Sequence, residues 1–182
     1  MRWMAIHGSS RNEGNTETLT HYVLKDVPAT HLYLREYSIQ PIVDQRHDPE
    51  GFAPVDDDYD QLINKVIDHD ILIFSTPLYW YGMSGLMKNF IDRWSQSLRD
   101  PRYEFREAMH GKQAYVIITG GEKARLQALP LVQQFDLIFQ FMSMDFKGYL
   151  IGYGGKPGGI LRDEKALAEA KQLNQQLKHL HA

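Results

Sequence analysis

Two stretches of the chain carry side chains that could do chemistry. In "HGSSRNEGNT" (7 to 16), the small residues Gly8, Ser9 and Ser10 let a ligand approach the backbone. The hydroxyls of Ser9 and Thr16, the amide of Asn15 and the guanidinium of Arg11 all donate hydrogen bonds. A helix starting at about Thr16 adds free N–H groups and a partial positive charge, and the occupant that suits such a cup is a phosphate ester. On these residues alone an ordinary capped loop is the alternative, since Ser and Asn are common in loops. The spacing is neither GxGxxG nor GxxxxGK(S/T), which argues against the usual dinucleotide fold and against a P-loop nucleotidase. The second stretch, "STPLYWYGMSG" (75 to 85), sets Tyr79, Trp80 and Tyr81 between a proline and a glycine, directly after an apolar run. Aromatics crowded onto a turn suit a flat ligand.

Other candidates take plainer roles. The chain has no cysteine, which excludes disulfides, a thiolate nucleophile and any cysteine-held zinc or iron-sulfur cluster. Chemistry must come from oxygen, nitrogen or a bound cofactor. His7 is expected to make a local hydrogen bond rather than bind metal, and "HLH" (179 to 181) to be a frayed tail; no metal site is expected. The acids of "DDDYD" (56 to 60) suit a helix start, where the helix dipole favours them. Asp92 and Arg93 suit a surface or interface ion pair, and His47 and Asp48 a solvated loop.

These residues must be positioned by elements, and apolar runs alternating with helical periodicity predict an α/β protein with a mostly parallel sheet. Strands are expected at about Trp3 to His7, 30 to 34, 71 to 75, 111 to 121 and 145 to 154. Helices are expected at about Thr16 to Lys25, Asp58 to His69, Met83 to Leu98 and Pro130 to Met142, with a last one capped by Asp163. The 83 to 98 helix is the clearest: Met83, Leu86, Met87, Phe90, Ile91, Trp94 and Leu98 recur at helical spacing, with Arg93 among the polar residues on its other faces. Residues 38 to 57 carry three prolines and no period, and a loop of that length is expected to be functional, as a lid. Five strands fit the doubly wound order 2-1-3-4-5, in which ligands bind beyond the carboxyl ends of strands one, three and four. "GSSRNEGNT", "TPLYWYGMSG" and "TGG" (119 to 121) all fall at those ends.

At 182 residues and 43% hydrophobic, the chain suits a single domain, 1 to 182. A net charge of -3 gives no electrostatic case for nucleic acid or an anionic membrane. The apolar run at the N-terminus is too short for a signal peptide, and the uncharged stretch 71 to 87 is interrupted by Ser, Thr, Pro and Gly; a cytoplasmic location without membrane insertion is expected.

"GSSRNEGNT" (8 to 16) and "TPLYWYGMSGLMKNFIDRW" (76 to 94) resemble the phosphate loop and the flavin-loop-to-helix signature of the NAD(P)H-dependent FMN reductase group, flavodoxin-like oxidoreductases that include the iron-sulfur flavoproteins. The match at "GK" to "TGG" (111 to 121) is looser. The resemblance implies a flavodoxin-like three-layer sandwich and an enzyme in which FMN takes a hydride from NAD(P)H at N5. No catalytic side chain is implied. FMN phosphate is expected at Ser9, Arg11, Asn15 and Thr16, and its ring against Pro77, Leu78, Tyr79, Trp80 and Gly82, with Thr119, Gly120 and Gly121 along the other edge. Physical chemistry agrees in outline: an isoalloxazine needs apolar or aromatic walls, and at Gly82 a backbone N–H can approach N5 with no side chain in the way. Which of the three aromatics meets the ring is open.

Iron-sulfur flavoproteins carry cysteines after strand two, where this chain has "IQPIVDQRHDPEG"; their absence favours hydride chemistry with a small acceptor, a quinone, nitro or azo compound or free flavin. The alternative is a flavodoxin-type electron carrier with no turnover of its own. The resemblance also implies homodimers or homotetramers, with the Trp94 helix and "GYGGKPGG" (152 to 159) as candidate interface.

Overall fold

The structure is a computed structural model that describes residues 1–181, with side chains through residue 180. In chain order the elements are β1 (Trp3–His7), α1 (Asn15–Val23), β2 (Ala29–Tyr33), α2 (Tyr59–Ile67), β3 (Ile71–Pro77), α3 (Gly85–Asp92), α4 (Trp94–Ser97), α5 (Phe105–Met109), β4 (Gln113–Gly120), α6 (Ala124–Gln127), α7 (Leu129–Phe141), β5 (Asp145–Tyr153) and α8 (Glu164–His181). The strands form one parallel sheet of order β2-β1-β3-β4-β5. The order reverses between β1 and β3, which puts a crevice beyond their carboxyl ends.

Strand alternation splits the core into two layers. Trp3, Ala5, Ile71, Ile73, Tyr115, Ile117 and Leu150 face α1 and α8, where Leu19, Val23, Ala166, Ala170 and Leu177 meet them. Met4, Ile6, Leu72, Phe74, Val116 and Ile118 face the opposite layer, built from α2 to α5 and α7. The central strands read as unbroken apolar runs because both of their faces are covered. Asp163 caps α8 as expected, its carboxylate accepting from the Ala166 N–H at 3.1 Å. It also accepts from the Tyr153 N–H at 2.7 Å and pairs with Arg125 at 2.7 Å, so one side chain ties β5, α6 and α8 together.

The expected helix at 83 to 98 is two helices, α3 and α4, which meet at Arg93. The Gln96 N–H turns back to the Arg93 carbonyl at 2.9 Å, a tightened turn, and Arg93 points inward rather than to the polar face. Its side chain is buried, pairs with Asp57 at 2.6 Å, donates to Gln96 Oε1 (2.8 Å) and the Gln40 carbonyl (3.1 Å), and lies 4.5 Å over the Tyr59 ring. Asp92 does form the expected surface pair, with Lys88 at 2.6 Å. The acids at 56 to 60 stand at a helix start as expected, with Asp58 the N-cap of α2 and Asp60 in its first turn, and three of them also act as anchors. Asp58 accepts from the Ser38 N–H at 2.7 Å, Asp57 from the Gln40 N–H at 2.9 Å, and Asp60 pairs with Arg102 at 2.7 Å. α8 continues through the "HLH" segment instead of ending before it; the His181 side chain lies outside the described residues.

Candidate functional site

β1, β3, β4 and β5 end around one cavity of about 290 Å³. The loop after β1 and the start of α1 supply Ser9, Arg11, Gly14, Asn15 and Thr16, and the end of β3 with the turn after it supplies Pro77, Leu78 and Tyr79. Thr119, Gly120 and Gly121 close one side, and Gly154 and Gly155, beyond β5, close another. Backbone bonds fix the walls: the Leu78 N–H donates to the Thr119 carbonyl at 2.8 Å, and the Gly154 N–H to the Gly120 carbonyl at 2.9 Å.

The polar end is built on the first turn of α1. Its N-cap is Gly14, which has no side chain with which to cap, and the first N–H to bond backwards is that of Thr18, to the Gly14 carbonyl at 2.9 Å. The N–H groups of Asn15, Thr16 and Glu17 therefore have no partner within the helix, and two of those residues line the cavity. An uncapped helix start opening into a cavity is an anion site. The Ser9 hydroxyl is buried and bonded within the loop, to the backbone of Arg11 at 3.2 Å. The Thr16 hydroxyl is hydrogen-bonded to that of Thr119. Arg11 lies exposed at the rim.

Asn15 behaves differently from the expectation of a free amide donor. Its Nδ2 donates to the carbonyls of Gly154 (2.6 Å) and Lys156 (2.7 Å), and its Oδ1 accepts from the Ile160 N–H (3.3 Å). Both ends of the amide hold the loop after β5 against the loop after β1. Gly154 is required there, since a β-carbon on it would stand 2.7 Å from the Asn15 amide nitrogen. Gly8 is also tight, though less so: a β-carbon would meet Ser84 Oγ and Met87 Cβ at 3.0 Å. Ser84 caps α3 through the Met87 N–H (3.2 Å) and donates its hydroxyl to the Gly8 carbonyl (2.5 Å), which joins the two expected motifs directly.

The apolar end is Pro77, Leu78 and Tyr79, but Trp80 and Gly82 stand outside the lining. Tyr79 and Gly82 close a two-residue hairpin through N–H to carbonyl bonds of 3.0 and 2.9 Å, so the Gly82 N–H is already engaged. Trp80 and Tyr81 form the hairpin tip, both at positive φ (48° and 64°), and Trp80 is 96% exposed. Residues 38 to 57 contribute nothing to this lining and pack instead against the segment after α4, around Arg99 to Arg102, so the expected lid is not over this cavity. Gly154, Gly155 and Ser84 were missed as site residues. The signal for the two glycines lay in "GYGGKPGG", which follows the strand next to β4 and therefore reaches the same crevice.

Residues 1–156 match the family model described as NADPH-dependent FMN reductase. A protein of Bacillus subtilis (strain 168), YwqN, that bears the name of an NAD(P)H-dependent FMN-containing oxidoreductase is 52% identical over 95% of this chain and 96% of its own length. The solved structure described as the Trp repressor binding protein from Bacillus subtilis is 44% identical, covers 94% of this chain and 97% of that one, and superposes with a TM-score of 0.80. An FMN-dependent NADH-azoreductase from Bacillus anthracis, solved in complex with FMN, shares the fold at 10% identity, with a TM-score of 0.70 and full coverage of both chains. With the family match spanning most of the chain and a relative this close along its whole length, the chain belongs to the NADPH-dependent FMN reductase family.

Proposed function

We propose that this chain passes a hydride from NAD(P)H, by way of FMN, to a small acceptor: a quinone, a nitro or azo compound, or free flavin. As a member of its family it is an NAD(P)H-dependent oxidoreductase with FMN as cofactor. The cavity suits that group, because it joins an uncapped helix start to an apolar strand end at the sheet's switch point. This combination carries the proposal, since a phosphate and a flat ring need opposite surroundings within one ligand's length.

In this reading the N–H groups at the start of α1, with Ser9, Arg11 and Thr16, hold the phosphate, and Asn15 keeps the adjacent loop in place. Pro77, Leu78 and Tyr79 take the ring, and Thr119, Gly120 and Gly121 pass its other edge. Bound FMN supplies the hydride chemistry itself. The protein binds, orients and screens from water, and no side chain is assigned as general acid or base. Trp80 and Tyr81, outside the cavity but next to Tyr79, suit the side from which nicotinamide and acceptor arrive. The chain also suits a homodimer or homotetramer, for an apolar groove lies open between α3–α4 and α7. Trp94 lends the groove only an edge, because most of its indole is buried against Phe74, Phe90 and Phe105.

The test is a visible spectrum of the purified protein, followed by mixing with NADPH and with NADH without oxygen. FMN should be retained, and its visible band should bleach on mixing. A protein that stays colourless and binds no FMN at micromolar concentration would overturn the reading, and FMN that is retained but unbleached by either nucleotide would make the chain a carrier.

A further inference from the structure

The end of β1 holds a second cluster, which the flavin reading does not use. Strand register sets Ala5 beside His31 and His7 beside Tyr33, and alternation puts all four side chains on the face covered by α1. His21 reaches the same place from α1. One ring nitrogen from each of His7, His21 and His31 lies within 4.8 Å of the other two. His7 Nε2 and His31 Nδ1 are 2.9 Å apart, and His21 meets both rings edge-on, with centroids at 5.9 and 4.9 Å.

Burial favours the neutral imidazole at the two strand histidines, His7 and His31. His7 is 1% exposed, and burial, with His31 and His21 alongside, pushes it down to about 3. Its Nδ1 is buried with no partner among the described residues, so the ring's polar engagement is through the Nε2 that faces the other two histidines. Tyr33 stacks on His7 at 4.5 Å and brings its hydroxyl to 3.3 Å from His21 Nε2. Glu17, the acid that acts on His31, is committed to Arg35 at 2.9 Å. Packing alone would be served by apolar rings, without the cost of an unpartnered buried nitrogen.

We propose that His7, His21 and His31 bind one divalent transition-metal ion of the zinc type, clamping β1, β2 and α1 together beside the phosphate loop. Three imidazoles are a donor set for borderline metals and not for calcium or magnesium. Nitrogens around a tetrahedral ion stand about 3.3 Å apart. The His7–His31 pair opens by a few tenths of an ångström to admit the ion, which replaces their hydrogen bond, and the ring that donates in that bond passes its proton to its outer nitrogen. His21, exposed on its helix, supplies the remaining movement and the entry path. A water or the Tyr33 hydroxyl takes the fourth position.

The test is calorimetric titration of untagged, FMN-loaded protein with Zn²⁺ alone, repeated on His21→Ala and His31→Gln and, as a control, on His47→Ala in the exposed loop. The expected result is one ion per chain, an affinity weakened about tenfold or more in each of the first two variants, and wild-type affinity in the control. His21→Ala changes an exposed side chain, so the metal-free fold survives to be tested. Absence of saturable binding, or wild-type affinity in either cluster variant, would overturn the proposal and leave the histidines as a packed stack. Neither result depends on FMN chemistry, so the flavin reading stands or falls separately.

Discussion

Arg93 is buried, and a buried guanidinium must be paired. Both it and the Asp57 carboxylate have side chains 2% exposed. Burial by itself would raise the Asp57 pKa, but the bonds it accepts from Arg93 and from the N–H groups of Gln40 and Tyr59 outweigh burial and hold it below the ordinary value. A carboxyl depressed on folding adds stability above its unfolded pKa of about 3.9, and that contribution is lost as pH falls through the lower folded value. Asp57→Asn should therefore cost about 3–5 kcal/mol at pH 7, because it leaves Arg93 buried and unpaired. The gap to the wild type should narrow as pH drops below about 4. Urea unfolding of both proteins at neutral and acid pH measures this, and equal midpoints at pH 7 would refute it. The sequence pointed away from the pair: a continuous helical period puts Arg93 outside, and Asp57 looks like one more acid at a helix start. The fold-back of 38 to 57 brings them together, and it leaves no local trace.

Among the elements, those with a long period were legible and those set by a turn were not. β3 shows itself as an unbroken apolar run, and α8 by its apolar stripe, whereas α5 and α6, at five and four residues, are too short to display a period. The Tyr79–Gly82 hairpin is the other case. Two-residue hairpins with positive φ at both central positions take Asn-Gly readily, and nothing in "YWYG" advertises one. Bulky aromatics held in that region cost about 1–3 kcal/mol each. Such strain, in two exposed residues, is understandable if the rings are needed at the mouth of the cavity. Trp80→Asn with Tyr81→Gly should raise the stability of the flavin-free protein by about 1–2 kcal/mol and reduce turnover with NAD(P)H while FMN remains bound. Thermal unfolding and steady-state kinetics on the double variant check both halves. Unchanged or lowered stability would mean that no strain is stored in the hairpin, and unchanged turnover that its rings play no part in the reaction.

At the scale of the whole molecule, the strand order and the convergence of three turns on one crevice were readable, because alternating runs and right-handed crossovers leave few topologies. How copies assemble was not, since that depends on which side chains the packed helices leave outside. The structure leaves a groove of about 610 Å³ between α3–α4 and α7, lined by Ile91, Leu98, Leu137, Ile138 and Phe141, with Leu137 60% and Phe141 58% exposed. One turn apart on α7, these two form an apolar ridge beside an apolar groove, a pattern that a two-fold axis can make self-complementary. The chain carries only -3 net charge to oppose such an encounter, and α3 begins directly after the hairpin, so an interface on this face would run close to the mouth of the cavity. The wild type should therefore have the mass of a dimer or tetramer by light scattering at tens of micromolar. Leu137→Glu with Phe141→Glu should shift it to monomer, because a charge at the centre of an interface is desolvated without a partner. Both positions are exposed in the single chain, so the variant should keep its helical circular dichroism and its hydrophobic layers. If the wild type is already a monomer at that concentration, or the double variant keeps the wild-type mass, the groove is not where copies of this chain meet.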